Sequence, residues 1–224
     1  MSKFYVVATP IGNLEDITFR AISVLKSVDF ILCEDTRMTK KLLDKYEINT
    51  KTISYHAQSK LSKVDKIFEF LEEGKNLALV SDAGTPTISD PGSLLISQIK
   101  EKFKDKVEIV PIPGASALIT ALSASGVISH EFTFLGFLPH KKGRETLFKE
   151  ISNSSRACVF YESPHRIIKT LESLVKFAPE KTIIIARELT KIYEQFVSGK
   201  AEELLFYFEN HKDKVRVEFV VIVE

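Results

Sequence analysis

The feature that most constrains the fold is a series of apolar runs that each end in a loop of small and turn-forming residues. The runs "FYVVA", "NLALV" and "KVEIVPI" are apolar enough to be buried on both faces, and amphipathic helical patterns lie between them. Buried strands joined by helices are typical of a parallel sheet that helices cover on both sides. The first half of the chain therefore predicts a three-layer α/β lobe.

Several helical patterns in this half begin at residues that commonly cap helices. Asp16 precedes a pattern that starts at Ile17, and Thr36 precedes the basic pattern "RMTKKLLDKY". Side-chain oxygens of Asp and Thr accept hydrogen bonds from the first backbone N–H groups of a helix, so we expect both residues to be N-caps. Asp90 and Pro91 predict a third start, with Asp90 as the cap and Pro91 as the first helical residue.

The pattern changes near residues 111–114, after which strand signals come closer together. Three helical patterns lie among these strands, at "GRETLFKEIS", "RIIKTLESLVKFA" and "AEELLFYFE". Closely spaced strands favour some antiparallel pairing. We therefore predict two lobes, a parallel-sheet α/β lobe over residues 1–111 and an α+β lobe with a mixed sheet over residues 112–224.

Composition excludes several classes of protein. The 224 residues are 44% hydrophobic and 27% charged, which is typical of a globular chain and not of a disordered one. No apolar run approaches the roughly 20 residues of a membrane helix. No cleavage pattern follows the short apolar start, so we expect a cytoplasmic protein with no membrane association. The five histidines and two cysteines are scattered, which predicts no metal site.

Charge gives only local information. The 31 basic and 30 acidic residues leave a net charge of +1, so the overall charge does not indicate a nucleic-acid-binding protein. Positive charge is concentrated in three segments, "TRMTKK", "HAQSK" with Lys63, and "HKKGR". Each segment is either an ordinary solvated surface or a contact for RNA phosphates.

Three loops, "TPIGN", "SDAGTP" and "PGAS", leave the ends of predicted parallel strands. Ligands of open α/β sheets bind beyond such ends, where glycine allows the backbone to approach the ligand closely. Asp82 can accept hydrogen bonds from ribose hydroxyls or from a cationic amine. The same residue types also form ordinary turns, and the chain has neither a GxG fingerprint nor a GxxxxGK loop. The loops therefore suit either plain turns or a small nucleoside-like cofactor.

Longer motifs then occur in order along almost the whole chain: "VVATPIGNLEDIT", "CEDTRMTKKLL", "VSDAGTPTISDPG", "PIPGASALITALSASG", "GFLPHKKGR", "FYESPHRI" and "ARELTKIYE". With these motifs the sequence resembles the tetrapyrrole methylase superfamily, whose members use S-adenosyl-L-methionine. Within it, the sequence is similar to the enzymes that methylate a cytidine 2'-oxygen in 16S rRNA of the small ribosomal subunit. The resemblance implies a two-lobed fold with the cofactor in the cleft between the lobes, and a homodimer.

The resemblance also implies which residues bind the cofactor. Asp82, Ala83, Gly84 and Thr85 would hold its amino-acid and ribose portions, and Tyr161 would pack near the adenine. The remaining positions carried over by the motifs are Pro10, Ser116 and Ala117.

Candidates for catalysis follow from the chemistry of the acceptor. Methyl transfer is an in-line displacement that depends on alignment, and a ribose hydroxyl is a poor nucleophile, so a nearby base or cation is useful. Glu162 is the expected base, with His165 as the alternative because imidazole exchanges protons near neutral pH. Arg37 and Arg166 are expected to contact phosphate or ribose. The competing interpretation is that these charged residues form structural ion pairs.

Two other functions stay open. The same fold can methylate a small molecule such as a precorrin, although the basic segments argue against it. A non-catalytic ribosome-binding protein is the other alternative, and the intact "SDAGTP" and "PGASA" loops argue against that one.

Overall fold

The computed structural model describes residues 1–56, 61–90, 92–128 and 130–224. The chain divides into two compact units, Met1–Ser116 and Ala117–Glu224. The predicted change of pattern near residue 111 falls within the last strand of the first unit. Across the described ranges, no helix is long and apolar enough to cross a membrane.

The first unit alternates strands and helices. In chain order they are β1 (Ser2–Val7), α1 (Phe19–Ser27), β2 (Phe30–Cys33), α2 (Thr36–Lys45), β3 (Lys51–Ser54), α3 (Leu61–Glu72), β4 (Leu77–Leu79), α4 (Gly92–Phe103) and β5 (Val107–Ile112). The sheet order is β3-β2-β4-β1-β5, and each neighbouring pair is parallel. The predicted parallel sheet is confirmed, and its carboxyl ends share one edge.

Both faces of this sheet are buried under helices. Consecutive residues of a strand point to opposite faces, and here Leu77 packs in a cluster with Ile67 of α3 while Ala78 packs in another with Leu25 of α1. This double burial explains why the strands are continuously apolar rather than alternating. The helix–sheet–helix arrangement agrees with the three layers that the sequence predicted.

The first helix begins later than the sequence indicated. Asp16 ends a short 3-10 helix, Leu14–Asp16, and the backbone is extended at Ile17. Thr18 caps α1 instead, because its side-chain oxygen accepts the N–H of Ala21 at 3.1 Å. The prediction of Asp16 as the cap is therefore wrong, since two residues separate it from the first helical turn.

The cap of α2 is also displaced, by one residue. Asp35 has an extended backbone, and its Oδ1 accepts the N–H of Arg37 at 2.8 Å. Thr36 is already helical, so the prediction that it caps the helix is wrong. Sequence alone did not separate the two, because Asp and Thr are both good caps.

The loop before α4 closes on Asp90. Its two carboxylate oxygens accept the N–H of Thr87 at 2.7 Å and the N–H of Gly92 at 3.0 Å. Asp90 therefore bonds the N–H of Gly92, the first described residue of α4, and its role as the helix cap stays a prediction. Pro91, predicted as the first helical residue, lies outside the described residues.

The second unit has a mixed sheet. Its elements are α5 (Ala117–Ser125), β6 (Phe132–Phe137), α6 (Arg144–Asn153), β7 (Ala157–Glu162), α7 (Ile167–Phe177), β8 (Ile183–Arg187), β9 (Gln195–Gly199), α8 (Ala201–Asn210) and β10 (Phe219–Val223). The order is β6-β7-β10-β8-β9, in which β6 and β7 are parallel and the other neighbours are antiparallel. The predicted α+β lobe is confirmed.

One face of the second sheet is covered by α7 and α8. Phe219 of β10 packs in a cluster with Leu171 of α7 and lies edge-on to Phe208 of α8, with ring centroids 5.6 Å apart. Glu162 at the end of β7 lies directly opposite Phe219 in the sheet register. A charged residue thus lies beside an apolar core, so its charge must be stabilised by polar partners.

Candidate functional site

Three loops are joined at the carboxyl edge of the first sheet. Thr9, after β1, and Gly84, after β4, exchange backbone hydrogen bonds of 2.9 and 3.0 Å. The Thr9 hydroxyl also donates to the carbonyl of Ser81 at 3.1 Å. The Thr85 hydroxyl donates to the carbonyl of Ala115, after β5, at 3.0 Å. The loops that the sequence grouped by composition therefore meet in space.

Close backbone contacts between these loops require small residues. Gly84 has a φ of +83°, a conformation that favours glycine, and a Cβ there would lie 3.3 Å from Cγ2 of Ile11. A Cβ on Gly114 would lie 2.9 Å from the Cβ of Ala8, closer than real side chains approach. The loops can therefore pack this closely only because residues 84 and 114 have no side chain.

Acidic groups surround the exposed Asp82. Its Oδ1 accepts the N–H of Asp35 at 3.1 Å, which links the loop after β4 to the loop after β2. Burial raises the pKa of Glu34, and the charges of Asp82 and Asp90 raise it further. The edge therefore carries a negative potential that favours cationic groups. Among the described residues, no group of three or more His, Cys, Asp or Glu side chains is arranged to hold a metal ion.

The predicted cofactor residues are distributed over both units. Those in the joined loops of the first unit are Pro10, Asp82, Ala83, Gly84 and Thr85. Ser116 ends the first unit, whereas Ala117 begins α5 of the second and Tyr161 lies in β7. The structure brings the first five together, and cofactor contact stays a prediction for all eight.

Arg37 lies at the surface beside an acidic partner. Its Nη2 is 2.7 Å from Oδ2 of Asp35, and 88% of its side chain is exposed. Hydrogen bonds from the side chain and backbone of Arg37 lower the pKa of Asp35 to about 2. The guanidinium is therefore solvent-accessible, and the carboxylate occupies only its Nε/Nη2 edge.

Glu162 has no exposed surface, and both of its oxygens are engaged. Oε1 accepts the N–H of Ser163 at 2.8 Å and lies 2.7 Å from Nη2 of Arg166. Oε2 accepts the hydroxyl proton of Thr170 at 2.6 Å and lies 3.7 Å from Nη2 of Arg144. A general base must reach the acceptor proton. This geometry favours the structural ion pair that the sequence left as the alternative.

Tyr161 and His165 lie near Glu162 but in different surroundings. The Tyr161 hydroxyl oxygen accepts the N–H of Leu118 in the first turn of α5 at 3.2 Å, and the ring lies edge-on to Phe134, with centroids 5.0 Å apart. Burial raises the pKa of Tyr161, so the phenol stays protonated at neutral pH. His165 is exposed in the turn between β7 and α7.

Sequence reasoning missed three residues that organise these regions. Thr9 stands at the end of a predicted strand, which is a usable signal for a polar contact. Arg144 lies in the segment "HKKGR", which predicts either a solvated surface or an RNA contact, and Thr170 stands in a helical pattern with no sign of its contact to β7. Most of the basic segment "HAQSK" falls on residues 57–60, outside the described residues.

Solved structures share the fold of this chain. The chain matches the methyltransferase CobJ with a TM-score of 0.72 at 19% identity, covering 100% of this chain and 94% of that one. It matches uroporphyrin-III C-methyltransferase from Thermus thermophilus, complexed with S-adenosyl homocysteine, with a TM-score of 0.67 at 16% identity, covering 100% and 98%. At such identities the likeness shows a shared fold and nothing beyond it.

Residues 3–205 match the tetrapyrrole (corrin/porphyrin) methylases, and the chain belongs to this family. The family and the fold that the sequence predicted are thereby confirmed, and the S-adenosyl homocysteine of the Thermus thermophilus structure agrees with the predicted methyl donor. A relative from Bacillus subtilis (strain 168) is 47% identical over 226 residues, 100% of this chain and 75% of the relative. A relative from Thermotoga maritima is 43% identical over 212 residues, which are 95% of this chain and 94% of the relative. Both relatives are called ribosomal RNA small subunit methyltransferase I.

Proposed function

We propose that the protein transfers a methyl group from S-adenosyl-L-methionine to the 2'-oxygen of a cytidine ribose in 16S rRNA of the small ribosomal subunit. The observation that carries the proposal is the union of the loops after β1, β4 and β5 at one sheet edge, beside the exposed Asp82. The names of the relatives at 43–47% identity support ribosomal RNA as the substrate. The cytidine and its 2'-oxygen come from the resemblance of the motifs.

The joined loops fit a nucleoside with a cationic amino-acid portion. A Cβ at Gly84 or Gly114 would crowd Ile11 or Ala8, so glycine at these positions lets the loops pack together at the sheet edge where the ligand is expected. The negative potential around Asp82 suits an ammonium and a sulfonium. We assign the cofactor contacts to Pro10, Asp82, Ala83, Gly84, Thr85, Ser116, Ala117 and Tyr161. When bound, the cofactor supplies a methyl group on a positively charged sulfur.

The chain's own contribution to catalysis is mainly alignment of the acceptor oxygen and exclusion of water. Of the three predicted catalytic residues, His165 and Arg37 are exposed, whereas Glu162 is buried and fully bonded. We therefore propose His165 as the group that accepts a proton and Arg37 as a contact for phosphate or ribose. Glu162 acts by holding Arg166 and Arg144 in place.

A small molecule is the second candidate acceptor. The fold is shared with cobalt precorrin-4 methyltransferase, with a TM-score of 0.71 at 15% identity over 99% of this chain. The relatives called ribosomal RNA methyltransferases are far more similar in sequence, which favours RNA. We also propose a homodimer, on the family resemblance alone, and sedimentation equilibrium would measure its mass.

The cofactor assignment is tested by calorimetric titration with S-adenosyl-L-methionine. We expect Asp82→Ala to weaken binding at least about tenfold, because a hydrogen bond to a charged group contributes about 1.5–3 kcal/mol. Asp65→Ala, an exposed aspartate on α3, is the matched control and should leave binding unchanged. Equal affinities of Asp82→Ala and the unmodified protein would remove Asp82 from the site.

The acceptor is tested with labelled cofactor and three substrates: unmethylated small ribosomal subunits, naked 16S rRNA and a precorrin. We expect label on a single cytidine ribose, mapped by nuclease digestion and mass spectrometry. Label on a base or on the precorrin would contradict the proposed acceptor. Ribosome binding with no transfer to any substrate would favour the non-catalytic alternative.

A further inference from the structure

The basic loop between β6 and α6, residues 138–143, is tied down by two arginines that come after it in the chain. Nη1 of Arg166 donates to the carbonyl of Leu138 at 2.8 Å, and Nη1 of Arg144 donates to the carbonyl of Pro139 at 3.1 Å. The N–H of Arg144 also donates to the carbonyl of Lys141 at 3.2 Å. Both ends of the loop are therefore held by hydrogen bonds to its own backbone.

The two arginines are in turn fixed by Glu162. Their side chains are only 14% and 15% exposed, and the carboxylate that they share is fully buried. Nη2 of Arg144 donates to the hydroxyl of Thr170 at 2.6 Å, and that hydroxyl donates to Glu162 at the same distance. Buried charged networks of this kind have well-defined geometry because every group needs its partner.

The outer side of the loop is positively charged and uncompensated. His140, Lys141 and Lys142 are exposed. In the part of the chain that the structure describes, neither lysine has a carboxylate within 4 Å of its ammonium group. By contrast, Nζ of Lys176 in α7 lies 3.9 Å from Oε1 of Glu145 in α6. A rigid backbone thus presents two adjacent free ammonium groups to solvent.

Three described cations of the other basic segments have partners within the protein. In α2, Arg37 is bound by Asp35, and Nζ of Lys41 contacts the sulfur of Met38 at 3.8 Å. Nζ of Lys63 donates to the carbonyl of Ser54 at 3.0 Å. Their charges are partly used within the protein, so the 138–143 loop is the stronger candidate for an anionic partner.

We propose that the 138–143 loop binds the phosphate backbone of the substrate RNA through Lys141 and Lys142, and that Glu162 is a positioning residue that holds the loop in its binding shape through Arg144 and Arg166. The inference rests on the proposed function, since it supplies the RNA contact for that activity. Lysines neutralise phosphates and release counterions, which gives salt-dependent affinity. A loop that is already ordered loses little conformational entropy when RNA binds.

The first experiment compares the double variant Lys141→Ala/Lys142→Ala with the control Lys149→Ala/Lys169→Ala, which removes two exposed charges from α6 and α7. Affinity for a single-stranded 16S rRNA fragment is measured at several salt concentrations. Each lost contact should lower the slope of log K against log salt by about 0.7, hence about 1.4 for two. The control should keep the slope of the unmodified protein, and both variants should bind S-adenosyl-L-methionine normally.

The second experiment tests the anchor without changing the net charge. Arg144→Lys keeps a cation but loses the fork that reaches the Pro139 carbonyl and Thr170 together. We expect faster trypsin cleavage after Lys141 or Lys142, detected by mass spectrometry, and weaker RNA binding with a nearly unchanged salt slope. Thr170→Val is the milder second variant, because it removes the hydroxyl that joins Glu162 to Arg144 while keeping the shape.

The outcomes separate this inference from the proposed function. An unmodified protein that binds no RNA and methylates no small subunits would overturn both. A protein that methylates small subunits while Lys141→Ala/Lys142→Ala keeps the full affinity and slope would overturn the loop contact alone. Unchanged trypsin cleavage and RNA affinity in Arg144→Lys and Thr170→Val would overturn the positioning role of Glu162.

Discussion

Two carboxylate–arginine pairs stand at strand ends in the two units, and their surroundings are opposite. Asp35, after β2, pairs at 2.7 Å with an Arg37 side chain that is 88% exposed. Glu162, at the end of β7, pairs at 2.7 Å with Arg166 and has no exposed surface. Water and salt screen the first pair, whereas the second depends on its partners for every hydrogen bond. The two pairs have similar residues at similar positions but different roles, and the extent of burial determines the role of each.

The regions around the two pairs are also built differently. At the edge of the first sheet, backbone contacts such as Thr9 to Gly84 hold the loops together, and the charged Asp82 is left at the surface. At the end of β7, the charged side chains themselves form the support. We infer that the polar groups at the edge of the first sheet are available to a ligand. Those at the end of β7 are engaged in holding the neighbouring loop.

The largest effect should follow from removing the buried carboxylate. Glu162→Ala leaves Arg166 and Arg144 without a counter-charge, and breaking a buried pair in this way costs about 3–5 kcal/mol. The free energy of unfolding in urea would measure the loss. Glu172→Ala, an exposed position on α7, should change little. A fully stable Glu162→Ala variant would contradict the supporting role that the contacts indicate.

An intermediate effect should follow from adding a side chain to the backbone-built edge. Gly84→Ala and Gly74→Ala both place a Cβ at nearly the same positive φ, +83° and +85°, which costs about 1–2 kcal/mol of stability in each case. Only Gly84 has a neighbour, Ile11, that the new methyl group would crowd. We expect both variants to lose stability but only Gly84→Ala to bind S-adenosyl-L-methionine more weakly, as calorimetry would show. Equal cofactor affinity in the two variants would speak against the joined loops as the site.

The smallest effect should follow from breaking the exposed pair. Because Arg37 lowers the pKa of Asp35 to about 2, the pair contributes stability above the ordinary aspartate pKa of about 3.9 and loses it as the pH falls towards 2. Arg37→Ala should return the pKa of Asp35 towards its ordinary value, as carboxyl NMR titration would measure. The urea midpoint at pH 7 should fall only slightly, because water screens the pair and the backbone N–H of residue 37 still bonds Asp35. A large loss of stability would mean that the pair is less screened than its exposure indicates.

Much of the fold could be predicted because strand burial and helix periodicity are local properties of the sequence. The apolar strands, the parallel first sheet and the mixed second sheet all followed from such patterns. Helix starts were less secure, as the displacement from Asp16 to Thr18 and from Thr36 to Asp35 shows. Adjacent residues with equal capping ability differ only in backbone conformation. That conformation depends on the direction in which the chain leaves the preceding strand.

The sequence by itself determined the family and the loops that carry Asp82, because the motifs and the glycines at strand ends are local features of the chain. Only the tertiary structure decided what the charged residues of the second unit do. Glu162 and Thr170 are eight positions apart, and Arg144 begins α6, yet their side chains meet beside the first turn of α7. Burial and partner geometry arise from packing between distant segments, and no local pattern in the sequence distinguishes a buried, fully bonded carboxylate from an exposed one.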